Sequence, residues 1–196
     1  MSKIKSRKNS TKKEAIIETA SRLFREKGFS ATSMRDLAEQ VGVEAASLYN
    51  HIQSKAELLQ EICFRVANHF ITNIDSVESS TDSYLAKLEA IIRFHIRMMI
   101  DQYENVYISD HEWRHLPEPY LSNFLNQRRS YRKRLGMLIE KGIQNGEMKN
   151  IEPYVAVLTI LSAISGLESW QRSRKSISEE VMEDNMVKYL IEGIKK

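Results

Sequence analysis

The chain has 196 residues, with 29 Lys and Arg against 26 Asp and Glu, one cysteine, seven glycines and three prolines. That length supplies one compact domain or two small ones. The single cysteine, Cys63, excludes an internal disulfide framework and any multi-cysteine zinc or iron–sulfur site.

No uninterrupted apolar run approaches the ~20 residues of a bilayer span, and no signal-peptide core follows Met-Ser-Lys-Ile-Lys-Ser-Arg-Lys. A soluble, cytoplasmic protein with no membrane partner is expected. The net charge of +3 divides unevenly along the chain. Residues 1–55 hold eleven Lys/Arg and six Asp/Glu, a net +5, and the remainder carries eighteen and twenty, a net −2. A basic head on a weakly acidic body suits a polyanionic partner.

In chain order, residues 1–9 read as a basic, flexible arm. Thr11-x-x-Glu14 is a capping box that can open a first helix, with Ile16, Ile17, Ala20, Leu23 and Phe24 on its apolar face and Gly28 as its stop. Thr32 or Ser33 caps a short second helix carrying Leu37 and Ala38, which ends at Gly42. A third runs from about Glu44 to His51, and Ser54-x-x-Glu57 opens a long fourth, to about Asn73. The polar stretch from Asp75 to Ser83 reads as a loop. Helices follow through Leu85–Met99, through Leu121–Ile139 to a stop near Gly146, from Pro153 to about residue 174, and from Ser178 to about residue 194. The expected fold is all-α, with about nine helices and no sheet.

Ala38, Gly42 and Leu48 have the spacing of a helix-turn-helix: a small residue for close approach, a glycine for the turn, and a leucine plugging the angle. The second helix starts with Thr32, Ser33 and Arg35, and Lys55 stands at another helix start, where backbone N–H groups favour phosphate. The third helix is too polar to be wholly buried.

These residues carry a resemblance. Gly28-Phe29, Thr32-Ser33-Met34-Arg35-Asp36-Leu37-Ala38, Val41-Gly42-Val43 and Ser47-Leu48-Tyr49-x-His51-Ile52-x-x-Lys55-x-Glu57-Leu58-Leu59 resemble, in order and spacing, the DNA-binding head of the tetracycline-repressor (TetR) family. Ile52 stands where that family usually has phenylalanine, and Glu44-Ala45-Ala46 replaces a Ser-Lys-Gly-like stretch.

The resemblance implies a homodimeric repressor of double-stranded operator DNA, with a head over residues 10–55 and a ligand-binding and dimerisation domain over 56–196. It places Thr32, Ser33, Tyr49 and Lys55 on phosphates, with Arg35 beside them, and Val43, Glu44, Ala45, Ser47, Asn50 and His51 near bases. The last two long helices, about 153–174 and 178–194, are the natural dimer interface: Ala156, Thr159, Ser162, Ala163, Ser165 and Gly166 permit close approach.

For the effector, the candidate residues are His95, Met99, Tyr103, Tyr107, Trp113, Phe124, Tyr131 and Trp170, large or polar groups on apolar faces. Arg114, Arg128 and Arg174 add positive charge for an anionic ligand. The stretches Glu112-Trp113-Arg114-x-Leu116-Pro117, Arg128-x-x-Tyr131 and Gly166-Leu167-x-x-Trp170 are similar to TetR members that sense acyl-CoA thioesters, which implies that class of effector.

A rival reading starts from His111-Glu112-Trp113-Arg114-His115, which formally matches H-E-x-x-H and offers a metal-binding sensor or zinc-dependent hydrolase. Arg114 between the ligands and Pro117 just after them oppose it. No G-x-S-x-G, P-loop or dinucleotide fingerprint occurs, so no catalytic residue and no cofactor are expected.

Overall fold

The computed structural model describes residues 2–173 and 177–196, with side chains from Lys12 onward. Among the described residues it is all-α: α1 Ser2–Lys27, α2 Met34–Val41, α3 Ala45–Tyr49, α4 Lys55–Ser79, α5 Tyr84–Asp101, α6 Tyr103–His111, α7 Tyr120–Gln144, α8 Pro153–Ser165, α9 Leu167–Ser173 and α10 Glu179–Ile194. A 3-10 turn, Trp113–His115, lies between α6 and α7.

Three of the long helices differ from the sequence expectation, each for a local reason. Helix α1 begins at Ser2, so Thr11 lies inside it; no Gly or Pro interrupts residues 2–11. Helix α4 runs on to Ser79, where a loop was expected. Its last turns are held by Arg134 of α7, whose guanidinium lies 2.6 Å from Asp75 Oδ1 and 2.6 Å from Glu78 Oε2. The helix expected from Pro153 to about residue 174 is interrupted at Gly166, whose N–H is shared between the carbonyls of Ser162 and Ala163.

The chain divides into two compact units: Met1–Ala67 with Glu104–Phe124, and Asn68–Tyr103 with Leu125–Lys196. The N-terminal unit is built on the apolar face of α1. Ile16, Ile17, Ala20, Leu23 and Phe24 are buried against Leu37 and Ala38 of α2, Leu48 of α3, and Leu58, Leu59, Ile62 and Cys63 of α4. Ile108, Leu116 and Phe124 complete this core, so residues far along the sequence pack with the first helices. Buried Ser21 is satisfied by the Ile17 carbonyl at 3.0 Å and Asn105 Oδ1 at 2.6 Å.

The C-terminal unit packs α8, α9 and α10 around α5. Helix α5 buries Leu88, Ile91, Ile92, Ile96, Met98 and Met99. Both of its ends are tied. Ser83 Oγ accepts from Ala86 N–H, and Glu147 Oε2 accepts from Leu85 N–H at 2.9 Å, a carboxylate at a positive helix end. At the other end Gln171 Nε2 donates to the Met99 and Ile100 carbonyls, satisfying acceptors that the last turn leaves free. Arg93 of α5 reaches Glu183 and Asp184 of α10, both at 3.1 Å.

An 18-residue window within Pro153–Ser173 has a mean hydropathy of 1.2, long and apolar enough to cross a membrane, although no uninterrupted apolar run in it is long. In the fold it is two-sided: Ala156, Val157, Ile160 and Ile164 are buried, while Tyr154, Val155 and Leu158 are exposed.

Candidate nucleic-acid interface

The helix-turn-helix is assembled by its caps. Ser33 is the N-cap of α2: its Oγ accepts from Asp36 N–H at 3.1 Å, and Asp36 Oδ2 accepts from Ser33 N–H at 2.8 Å. This reciprocal box holds the Asp36 carboxyl below the usual carboxylate range, first through the Ser33 hydroxyl and then through its backbone N–H. Gly42 ends α2 at φ 76°, a left-handed position that a side chain would strain, and its N–H is directed at the Ala38 and Glu39 carbonyls. The chain then turns through Val43 and Glu44 into α3. Leu48 is fully buried there, with Ala45, Ala46, Ser47 and Tyr49 around it exposed.

Helix α3 is shorter than its expected span. Glu44 is its N-cap, without a side-chain cap bond, Asn50 is its C-cap, and His51 lies just beyond, its N–H donating to the Leu48 carbonyl. Val43, Glu44, Ala45, Ser47, Tyr49 and Asn50 are exposed and His51 is half-buried. Tyr49 is 52% exposed, so it belongs to the surface rather than the core. Arg35 is exposed on α2. A polar, solvent-facing helix set on a buried leucine can offer short side chains to a groove.

Two residues assigned to phosphate from the sequence are spent inside the protein. Thr32 is 2% exposed, its hydroxyl donates to the Gly28 carbonyl at 2.9 Å, and its N–H is directed at the Phe29 carbonyl. Lys55 Nζ donates to the carbonyls of Phe29 at 2.6 Å, Thr32 at 2.7 Å and Ser30 at 3.3 Å, and lies 4.4 Å from the centre of the Phe29 ring. An ammonium has three donors, and here all three have carbonyl partners. Lys55 therefore fastens the α1–α2 turn to the start of α4.

Phe29 is held from the other end of the sequence as well. Glu112 Oε1 accepts from Phe29 N–H at 3.3 Å, and the His115 ring stacks on Phe29 with centroids 5.1 Å apart. That arrangement overturns the H-E-x-x-H reading. Helix α6 ends at His111, so the two histidines do not share one helical face. Glu112 is turned to Phe29 and His115, at 3.4 Å from the latter, and His111 packs 4.3 Å from the Tyr107 ring. Among the described residues no three His, Cys, Asp or Glu side chains come together to hold a metal.

The residues expected around an effector fall in both units. In the N-terminal unit, Phe124 is fully buried in the core, Tyr107 and Trp113 pack against that core, and Arg114 lies 5.0 Å over the Trp113 ring. In the C-terminal unit, Tyr103 and Met99 are buried, and Arg128 and Trp170 are half-buried. Arg174 lies outside the described residues.

His95 of α5 and Tyr131 of α7 meet directly, His95 Nε2 being 2.6 Å from the Tyr131 hydroxyl. Burial pushes the His95 imidazole down to about 3 and the Tyr131 phenol upward, so both are neutral near pH 7. Phe70 of α4, absent from the sequence candidates, stacks on His95 with centroids 4.3 Å apart and an interplanar angle of 25°. The helical spacing of Leu58, Leu59, Ile62, Val66 and Phe70 along α4 was the available signal. A separate cleft of about 260 Å³ is lined by Glu78, Tyr84, Lys87, Arg134, Met137, Leu138 and Lys141, none of them an expected effector residue.

A helix-turn-helix with an exposed polar second helix, on a chain with a further all-helical unit, is the arrangement of a DNA-binding transcriptional regulator. Residues 16–62 match the model of the bacterial regulatory proteins of the tetR family, and residues 81–194 that of the tetracyclin repressor-like C-terminal domain. The chain belongs to the TetR family.

It is 22% identical over 187 residues to the HTH-type transcriptional repressor KstR2 of Rhodococcus jostii, covering 94% of this chain and 92% of that one. It is 27% identical over 164 residues to the Staphylococcus aureus biofilm-operon negative regulator IcaR, covering 81% of each. The structure of the ketosteroid transcriptional regulator KstR2 of Mycobacterium tuberculosis superposes with a TM-score of 0.87 at 22% identity, covering 94% of this chain and 95% of that one. AibR, solved in complex with isovaleryl coenzyme A and operator DNA, gives 0.80 at 25% identity, covering 92% and 98%.

Proposed function

We propose that the chain is a repressor that binds a two-fold operator as a homodimer and leaves it when an acyl-CoA thioester occupies the C-terminal unit. The observation that carries the DNA half is the exposed face of α3 around buried Leu48, next to a net positive N-terminal segment. Glu44, Ala45, Ser47, Asn50 and His51 read bases, with Val43 at the rim. Arg35, Tyr49 and the Ser33 end of α2 meet phosphates, which fix register without carrying sequence. Relatives named as repressors support the direction of control.

The dimer reading rests on an exposed apolar surface within the C-terminal unit. Tyr154, Val155 and Leu158 of α8 and Val181 and Tyr189 of α10 are solvent-facing large hydrophobics, Tyr154 and Tyr189 at 71% and 75% exposure. Two such helices from each protomer make a four-helix interface across a dyad, and a two-fold protein matches a palindromic site. Acting on DNA, the protein is placed in the cytoplasm.

The acyl-CoA assignment is supported by the stretches around Tyr131 and Trp170 and by the isovaleryl coenzyme A that AibR holds. His95, Tyr131, Met99 and Trp170 belong to the C-terminal unit, and Arg128 supplies charge there. Occupancy favours a conformation whose heads do not match the operator, with α4 as the element joining head to effector unit. The test is a mobility-shift assay on duplexes that the protein selects from a random pool. Long-chain acyl-CoA releases the duplex and free CoA does not; retention across all chain lengths contradicts the effector assignment.

A further inference from the structure

We infer that the C-terminal unit holds, beside Phe70, His95 and Tyr131, an apolar molecule whose buried end carries a hydroxyl. The inference deepens the effector reading above and rests on it: it specifies the chemistry of the buried part of the effector.

Three helices bring the site together. Phe70 of α4, His95 of α5 and Tyr131 of α7 form one aromatic cluster, with Phe70–Tyr131 centroids 5.9 Å apart and His95–Tyr131 centroids 5.5 Å apart. Asn73 lies one turn after Phe70 and Gln127 one turn before Tyr131, so each extends the face of an aromatic member. Asn73 Oδ1 and Gln127 Oε1 are both buried without a hydrogen-bond partner, and so is Trp170 Nε1 on α9, which packs on α5. Native interiors tolerate few such atoms, and each calls for a partner that the polypeptide does not supply. Two amide oxygens that lack a donor and an indole N–H that lacks an acceptor, all in one unit, point to a guest whose oxygen both donates and accepts, a hydroxyl.

The His95–Tyr131 pair can meet a hydroxyl in either tautomer. With the proton on His95 Nε2, the Tyr131 oxygen accepts from the ring and its O–H is free to donate to the guest oxygen. With the proton on Nδ1, Tyr131 donates to Nε2 and its oxygen accepts from an alcohol. Both side chains are neutral near pH 7. A ketone or a carboxylate only accepts and would leave the Asn73 and Gln127 oxygens unpaired, which favours a hydroxyl.

The test uses the full chain and ten-carbon probes without CoA: decane, decan-2-one, decan-2-ol and decanoate, followed by calorimetry and thermal shift. The alcohol binds about tenfold more tightly than decane, decan-2-one or decanoate, the difference one hydrogen bond makes. Tyr131→Phe abolishes that preference. Gln127→Leu removes a buried unpaired amide and raises the Tm of the unliganded protein by about 2–4 °C. The inference is overturned if no probe binds, if decane, decan-2-one or decanoate binds as well as the alcohol, if Tyr131→Phe keeps the preference, or if Gln127→Leu lowers the Tm. The probes lack CoA, so this result is separate from the release assay: failure of acyl-CoA to release DNA refutes the thioester, not the oxygen.

Discussion

Replacing Lys55 with methionine removes an ammonium but keeps most of the aliphatic stem, and it separates two roles for this residue. The charge is shared among the carbonyls of Phe29, Thr32 and Ser30 at 2.6, 2.7 and 3.3 Å. The first two bonds are partly buried and the third is exposed, so water replaces the third without much loss. A hydrogen bond to a charged group contributes about 1.5–3 kcal/mol, less where water competes. Allowing for partial exposure, the two shorter bonds and the Phe29 ring contact together put the loss at about 2–3 kcal/mol.

At about 2–4 °C per kcal/mol for a chain of this size, the Tm of Lys55→Met falls by roughly 5–10 °C. Differential scanning calorimetry without DNA, at low and high salt, measures it, and the loss persists at high salt because the acceptors are internal carbonyls. An unchanged Tm, with the salt slope of DNA binding reduced by about one, would show that Lys55 contacts phosphate after all and would refute the clamp.

Leu48→Ala leaves a cavity at the centre of the helix-turn-helix and costs about 3–5 kcal/mol, measured by urea unfolding, with operator binding lost in parallel. Asn50→Ala and Ser47→Ala leave that unfolding curve in place and change which duplexes are selected, read by sequencing the bound pool. Leu158→Glu with Tyr189→Glu places charge in the proposed dimer interface and gives a monomer by light scattering, with weaker operator binding. His95 gives a pH signature with a fixed sign. Its folded pKa of about 3 lies below the ordinary 6.5, so the unfolded chain binds more protons below neutrality and stability falls as pH drops. The loss from this group is about 2 kcal/mol between pH 7.5 and pH 5, and His95→Gln removes it from the urea midpoint series.

What could be read directly from the sequence was local. Ala38, Gly42 and Leu48 act within one turn of chain, and their spacing alone specifies a small contact, a left-handed turn and a plug, all found in place. Ser33 and Asp36 likewise sit three residues apart and close on each other. What could not be read was distant. Lys55 resembled a lysine waiting for phosphate because its acceptors come from residues 29, 30 and 32, a turn that only the fold brings to it.

Phe124 and Trp113 carried the right chemistry for an effector pocket. Periodicity cannot distinguish that role from packing against the head core, where the structure puts them. His111 and His115 have helical spacing in sequence, but α6 stops between them. Phe70 was visible only as an apolar helical position, and Asn73 and Gln127 gave no signal; that Phe70 meets His95 and Tyr131 depends on how three helices pack.

The central claim is that an exposed helix on this chain reads DNA. Fluorescence anisotropy of a selected palindromic duplex, titrated with protein across a range of salt, tests it most directly. The expected result is two chains per duplex, preference over a scrambled duplex, and log affinity falling linearly with log salt at a slope of about −0.9 per neutralised phosphate. Equal binding to the scrambled duplex, or an affinity indifferent to salt, would contradict it.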